Sequence, residues 1–263
     1  MSFLAKGRVL KNQQLADDLY ELEFLAPQIA LKCHPGKFMQ IRVSEQDDPL
    51  LRRPLSLYDV DVDSGSISLL YKVVGQGTRI MTSFKPDDTI DVMGPLGNGF
   101  TMPNYPLNAI LVGGGVGIAP LMYLARWLIL LDCQVKVLYG ANTAGELVAS
   151  DRFSRLGVEL EVATLDGSAG YHGPVTDLLK DQDPHEVDSF YTCGPEMMMA
   201  EVAEYVACNY LWGECSLEEH MACGVGACLG CARKLKPADV DYVKICKDGP
   251  VFNVQAVEFM MGR

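Results

Sequence analysis

The chain has 263 residues, 49% of them apolar and 21% charged, which is the composition of a globular protein and excludes wholesale disorder. A formal net charge of −12 opposes nucleic-acid binding, and the greasiest run, "LMYLARWLILL" at 121–131, is interrupted by Arg126 and too short to span a bilayer. The N-terminal "MSFLAKGRVLKNQQ" has no apolar stretch of signal-peptide length, so the expectation is a cytoplasmic protein whose nine cysteines are metal or redox ligands plus buried thiols, not disulfides.

Residues 1 to 100 read as β-rich. The runs "LYELEFLA", "KFMQIRV" and "SISLLYKVV" are short and separated by Pro, Gly and Asp, which suits an antiparallel barrel or sandwich. Two segments here carry candidate phosphate chemistry. "RRPLSLYD" at 52–59 joins Arg53, Pro54 and Ser56, and in "LLYKVVGQGTRIMTSF" the pair Gly77-Thr78 is placed to start a short helix. Helix-start N–H groups and a guanidinium both suit a pyrophosphate. Taken singly, an Arg in a strand is usually just solvated. "GPLGNGF" at 94–100 closes the region with turn residues.

From 101 to 210 the pattern changes to strands alternating with helices, which implies a parallel sheet. The strand-like runs are "LNAILVGGG", "CQVKVLYGA", "VELEVATLD" and "SFYTCGP"; the helix-like ones are "GIAPLMYLARWLILLD", "PVTDLLKD" and "EMMMAEVAEYVACN". "GGGVGIAP" at 113–120 runs from a strand into a helix, the context in which backbone N–H groups receive a phosphate. It is not a strict G-x-G-x-x-G, and a tight strand-to-helix junction is the plain alternative. "YTCGPE" puts Cys193, Gly194 and Pro195 at the end of another strand. Ligands of open α/β sheets sit outside the carboxyl ends of the strands, so both turns are expected on one rim. "YGANTAGE" at 139–146 offers no Arg or Lys for a 2′-phosphate, and Glu146 would repel one; this favours NAD over NADP.

Residues 211–263 begin Cys- and Gly-rich and end in the strand-like "PVFNVQAVEFM". Cys223-x4-Cys228-x2-Cys231, with Cys246 fifteen residues later, has the plant-type 2Fe–2S spacing. Gly224, Gly226, Ala227 and Gly230 let the backbone come close enough to donate N–H groups to the sulfurs. The competing reading, structural zinc, usually pairs cysteines closely in both halves, whereas Cys246 has no nearby Cys or His. A Rieske site needs two histidines, and His220 stands alone as an exposed loop residue. Cys133, Cys193 and Cys208 lie in apolar stretches, where a cysteine reads as a small buried hydrophobe; Cys193 is the exception to weigh further.

"RPLS", "YKVVGQGT", "GPLGNGF", "VGGGVGIAPL" and "TCGPE" occur in the order found in the ferredoxin–NADP reductase superfamily, which residues 5–210 therefore resemble. With "SLEEHMACGVGACLGCARK" and "VKICKDGPVF" nearly the whole chain resembles the electron-transfer subunits of type B dihydroorotate dehydrogenases. The resemblance implies an α+β multidomain chain: an antiparallel β-barrel FAD domain at 1–100, an α/β parallel-sheet NAD domain at 101–210 and a small C-terminal 2Fe–2S domain at 211–263. It implies FAD contacts from Arg53, Pro54, Leu55, Ser56, Leu70, Tyr71, Lys72, Gly77 and Thr78. It implies NAD contacts from Gly113, Gly114, Gly115, Val116, Gly117, Cys193, Gly194 and Pro195, and cluster ligands Cys223, Cys228, Cys231 and Cys246. The implied partner is an FMN-containing catalytic subunit that oxidises dihydroorotate, in a heterotetramer. Many of these reductases end in an aromatic residue over the flavin; this chain instead continues into the cluster segment. The rival readings are a flavin/iron–sulfur subunit of a ferredoxin:NAD(P) oxidoreductase or hydrogenase complex, and an electron-carrier module without productive nucleotide binding.

Overall fold

The computed structural model describes residues 3–236 and 242–259. Where composition marks three regions, compactness divides the chain into two units. The first takes the described residues up to Gly99 together with Glu218–Ala232 and Lys244–Pro250; the second holds the rest of the described chain.

The first unit is built on strands β1 (Phe3–Ala16), β2 (Leu19–Leu25), β3 (Phe38–Arg42), β4 (Arg53–Asp61), β5 (Ser66–Lys72) and β6 (Thr89–Leu96). They close into a barrel in the order β1-β2-β5-β4-β3-β6, antiparallel throughout. Closure leaves no free sheet edge and decides between barrel and sandwich. Alternation supplies the core: in β2, Leu22 and Phe24 are fully buried on either side of the half-buried Glu23. Met39, Ile41, Leu57, Ile67, Leu69 and Val92 are buried with them. Each such side chain contributes about 1.5–3 kcal/mol, so Phe24→Ala is expected to cost about 3–5 kcal/mol. Two short helices, α1 (Pro27–Ala30) and α2 (Gln76–Met81), lie in the connections.

The second unit is a seven-stranded sheet. Its strands are β7 (Asn108–Gly114), β8 (Gln134–Ala141), β9 (Glu159–Thr164), β10 (Tyr171–His172), β11 (Ser189–Cys193), β12 (Trp212–Ser216) and a last strand, Val251–Asn253. The order is β10-β9-β8-β7-β11-β12 and then Val251–Asn253, parallel except for that last pairing. β7 is buried from Ala109 to Gly114 without alternation, as a central strand covered on both faces must be. The connections carry α3 (Ala119–Leu130), α4 (Ser150–Leu156) and α5 (Glu196–Cys208).

Three local expectations change. "PVTDLLKD" forms a 3₁₀ segment, Val175–Asp181, not an α-helix. It is short, and its buried Val175 and Leu178 recur every three residues, the 3₁₀ period. "PVFNVQAVEFM" yields only the strand Val251–Asn253 before a 3₁₀ turn at Val254–Ala256. Cys208 is exposed, because the last turn of α5 carries it away from the buried stripe of Met199, Val202 and Val206.

Candidate functional site

The cysteine segment belongs to the barrel unit. It has almost no regular structure, and three residues take the left-handed conformation: Gly224 (φ +69), Gly226 (φ +80) and Leu229 (φ +62). Those turns aim backbone N–H groups at sulfur. Cys223 Sγ accepts from the amides of Ala227 (3.3 Å), Cys228 (3.4 Å) and Val225 (3.5 Å). Cys246 Sγ accepts from Gly226 (3.1 Å), Cys231 Sγ from Cys246 (3.5 Å) and Cys228 Sγ from Gly230 (3.5 Å).

The thiols fall into two pairs. The Cys228 amide donates to Cys223 Sγ (3.4 Å) and the Cys246 amide to Cys231 Sγ (3.5 Å), which sets each of these two couples side by side. The first pair is at the surface, where the Val225 amide above all draws the Cys223 thiol down to about 6. The second is buried, and burial pushes Cys246 up to about 12. Among the described residues, no group of three or more His, Cys, Asp or Glu side chains is placed to share a single metal ion. Two thiol pairs ringed by N–H donors fit a two-iron cluster better than mononuclear zinc.

The segment that carries Cys246 is fastened to the barrel beyond β6. Asn98 donates its backbone N–H to Gly249 O (2.6 Å) and its side-chain amide to Lys247 O (3.2 Å) and Asp248 O (3.1 Å). By sequence Asn98 reads as a turn residue only. Gln40, inside "KFMQIRV", is fully buried.

On β4, Arg53, Pro54, Leu55 and Ser56 are all half-buried in succession. A strand covered on one face alternates, so this run is partly accessible on both faces. Arg53 Nη1 donates to the carbonyls of Leu51 (2.5 Å) and Arg52 (3.3 Å). Its guanidinium lies on Gly77, where any Cβ would collide with it. Thr78 Oγ1 accepts from the amides of Val74 (3.0 Å) and Gly75 (3.2 Å), fixing the turn into α2. Arg53, Gly77 and Thr78 thus come together. The neighbouring β5 side chains are engaged elsewhere. Leu70 and Tyr71 are buried, Tyr71 donates to Asn12 Oδ1 (3.1 Å) and stacks on Tyr20 (5.6 Å), and Lys72 pairs with Asp18 (3.2 Å).

In the second unit Gly113 and Cys193 are register partners on adjacent parallel strands. β8 follows β7 on one side and β11 lies on the other, so the chain reverses direction across the sheet here. That is the switch point at which open α/β sheets bind ligands. The two turns are packed backbone to backbone: a Cβ on Gly117 would sit 2.5 Å from Gly194 Cα. One on Gly114 would sit 2.7 Å from Pro195 Cδ. Gly115 differs, with φ +54 and open space where a Cβ would be. It and Val116 are half-exposed, so they form the part of the turn that a ligand can reach. At the end of β8, Glu146 accepts from the backbone (3.2 Å) and side-chain (2.9 Å) amides of Asn142. Cys193 is fully buried.

Family models match the chain in three stretches: an oxidoreductase FAD-binding domain over residues 6–100, an oxidoreductase NAD-binding domain over 111–204, and the iron–sulfur cluster binding domain of dihydroorotate dehydrogenase B over 218–258. Barrel, switch-point sheet and cysteine segment therefore define an NAD-linked flavin and iron–sulfur oxidoreductase subunit. The dihydroorotate dehydrogenase B (NAD(+)) electron transfer subunit of Desulforamulus reducens is 41% identical over 254 residues, covering 96% of this chain and 97% of that one. That of Geobacillus kaustophilus is 39% identical, covering 95% and 96%. The chain belongs to the family of dihydroorotate dehydrogenase B electron transfer subunits. The structure of an NADH-dependent reduced ferredoxin–NADP oxidoreductase, studied for flavin-based electron bifurcation, is similar with a TM-score of 0.86 and 31% identity, covering 98% of this chain and 92% of that one. A ferredoxin NADP+ reductase from Neisseria gonorrhoeae with bound FAD and NADP shares the fold, with a TM-score of 0.67 and 16% identity over 78% of this chain and 91% of that one. No helix among the described residues is long and apolar enough to cross a membrane.

Proposed function

We propose that Cys223 and Cys228 hold one iron of a 2Fe–2S cluster and that Cys231 and Cys246 hold the other. The observation that carries this is the two thiol pairs, each reached by backbone N–H donors. Arg53, Pro54, Leu55 and Ser56, with Leu70, Tyr71, Lys72, Gly77 and Thr78, line the FAD site. On β5 the backbone serves, because the side chains of Leu70 and Tyr71 are buried. Gly113, Gly114, Gly115, Val116 and Gly117, with Cys193, Gly194 and Pro195, receive NAD at the switch point, and Gly115 takes the pyrophosphate side.

When bound, FAD exchanges a hydride with NAD and single electrons with the cluster, which is why one chain carries all three sites. The protein's own part is binding and tuning. Arg53 supplies positive charge beside the GQGT turn. The N–H donors stabilise negative charge on sulfur. Glycines at the rim let two turns close on each other. No side chain here has to move a proton.

The catalytic partner is an FMN-carrying subunit that oxidises dihydroorotate, two of each subunit assemble, and the complex works in the cytoplasm. The likeness to the ferredoxin–NADP oxidoreductase favours one second reading, a partner that exchanges electrons with ferredoxin. Pull-down from the native source, followed by assay of the complex, separates the two. An FMN subunit and dihydroorotate:NAD activity support the first; a ferredoxin-linked partner without dihydroorotate activity overturns it.

A further inference from the structure

Gln40 is 0% exposed, and neither amide atom has a hydrogen-bond partner among the described residues. A buried amide left in that state costs about 1–3 kcal/mol, so its position calls for an acceptor. Three features locate that acceptor. Gln40 shares a face of β3 with Phe38, whose ring edge would lie 3.1 Å from a Cβ on Gly97, the residue before Asn98. Gln40 is therefore on the side of the barrel to which the Cys246 segment is fastened. Its Nε2 would be 2.6 Å from a Cβ on Gly224, the residue after Cys223, so the loop backbone lies directly on the amide. The same Cβ on Gly224 would also lie 3.2 Å from the methyl of Met93, a group that accepts nothing. In the other direction Gln40 is the register partner of Pro54, in the middle of the β4 run assigned to FAD.

We propose that Gln40 is a positioning residue for the iron–sulfur cluster: its Nε2–H donates to sulfur at the Cys223 corner and raises the cluster's reduction potential. The inference rests on the cluster reading above. Sulfurs of a cluster are acceptors only, and the loop already satisfies them with backbone N–H groups. Gln40 adds a donor that comes from the barrel. A donor to sulfur favours the reduced state, which carries one more negative charge. The residue thus ties the potential of the cluster to the strand neighbouring β4. Gly224 is required here twice over, by its φ of +69 and because a side chain would occupy the place of the amide.

The test is made on the full chain with its cofactors. Gln40→Met keeps length and removes both polar atoms. The expected result is a tenfold less favourable reduction of the cluster in a dye-mediated titration, which is about 59 mV for one electron. Independently, wild-type protein labelled with 15N at the glutamine side-chain amide is examined by pulsed EPR in the reduced state. A 15N coupling to the cluster is expected, and it is lost in Gln40→Met. This second measurement stands even if Gln40→Met does not retain its cluster. Absence of the coupling in wild type, or a potential in Gln40→Met within twofold of wild type in equilibrium constant, overturns the proposal. Wild-type chain shown by iron analysis to carry no iron overturns the cluster reading itself, and this proposal with it.

Discussion

The backbone N–H of Gly226 donates to the sulfur of Cys246, 3.1 Å away and twenty residues along the chain. The bond exists because Gly226 is left-handed at φ +80, a conformation that costs other residues about 1–2 kcal/mol. A Cβ there would also press on the Lys247 side chain at 2.9 Å, but that chain can move. Gly226→Ala is therefore expected to lower iron content per chain through the backbone. Cys231→Ser and Cys246→Ser should abolish the visible cluster absorption. Cys215→Ala should keep it, since Cys215 is buried in β12 of the other unit. Zinc in place of iron by elemental analysis would falsify the assignment.

Arg53 and Gly77 give a test of the flavin site. Gly77→Ala leaves no room for the guanidinium where it now lies. Arg53→Ala removes the charge itself, a loss of about 1.5–3 kcal/mol, or roughly ten- to a hundredfold in FAD affinity. Both variants should elute from gel filtration depleted of FAD while retaining iron. Full occupancy in both would place the flavin elsewhere.

What the sequence made legible followed from backbone constraints. Glycine-rich turns, the cysteine spacing and the continuous apolar β7 are local, and the structure has the barrel and the parallel sheet they implied. β1 was not legible as a strand, because its polar residues mask any alternation. Among its residues of described burial only Gly7 and Val9 are buried, and Leu4 is largely exposed. Pairing with β2 and β6 imposes it. Gln40 was not legible for the opposite reason. Its burial comes from the loop at Gly224, nearly two hundred residues away, and no local pattern records that.

The glycine rim predicts a separable defect. Gly117→Ala forces a Cβ to within 2.5 Å of Gly194 Cα, and backbone cannot yield as a side chain does. Overpacking of this kind costs about 1–3 kcal/mol and should part the two turns. The KM for NADH with an artificial acceptor should rise, while the flavin spectrum and iron content stay as in wild type. An unchanged KM would remove these turns from the nucleotide site.

Alkaline pH should destabilise the barrel unit through Cys33. Burial pushes this thiol from 9.0 up to about 12, with Lys37 opposing only in part. Its contribution is fully present below the unfolded value and is lost as pH rises, because the unfolded thiol ionises where the folded one does not. The slope is at most about 1.4 kcal/mol per pH unit between 9.0 and about 12. Urea midpoints measured across that window should fall less steeply for Cys33→Ala than for wild type. Parallel curves would mean that the thiol ionises in the folded protein too.

The relay predicts a division of labour that three assays on one preparation can test. FAD and NAD sites lie on one polypeptide, so the isolated chain should pass electrons from NADH to an artificial acceptor. Dihydroorotate oxidation needs a second flavin with its own proton acceptor, and this chain has no side chain assigned to that work, so alone it should not oxidise dihydroorotate. Adding an FMN-containing catalytic subunit should restore dihydroorotate:NAD activity. Cys231→Ser should then separate the two functions. NADH-to-acceptor turnover is spared, since it needs only FAD and the rim at Gly115, whereas coupling to the partner fails, since a hydride carrier cannot replace a one-electron carrier between two flavins. Equal loss of both activities would point to collapse of the barrel unit, and melting curves of Cys231→Ser with FAD bound would reveal it. Coupling at the wild-type rate without the cluster would mean that electrons reach this chain's FAD by another route, and the relay would be wrong.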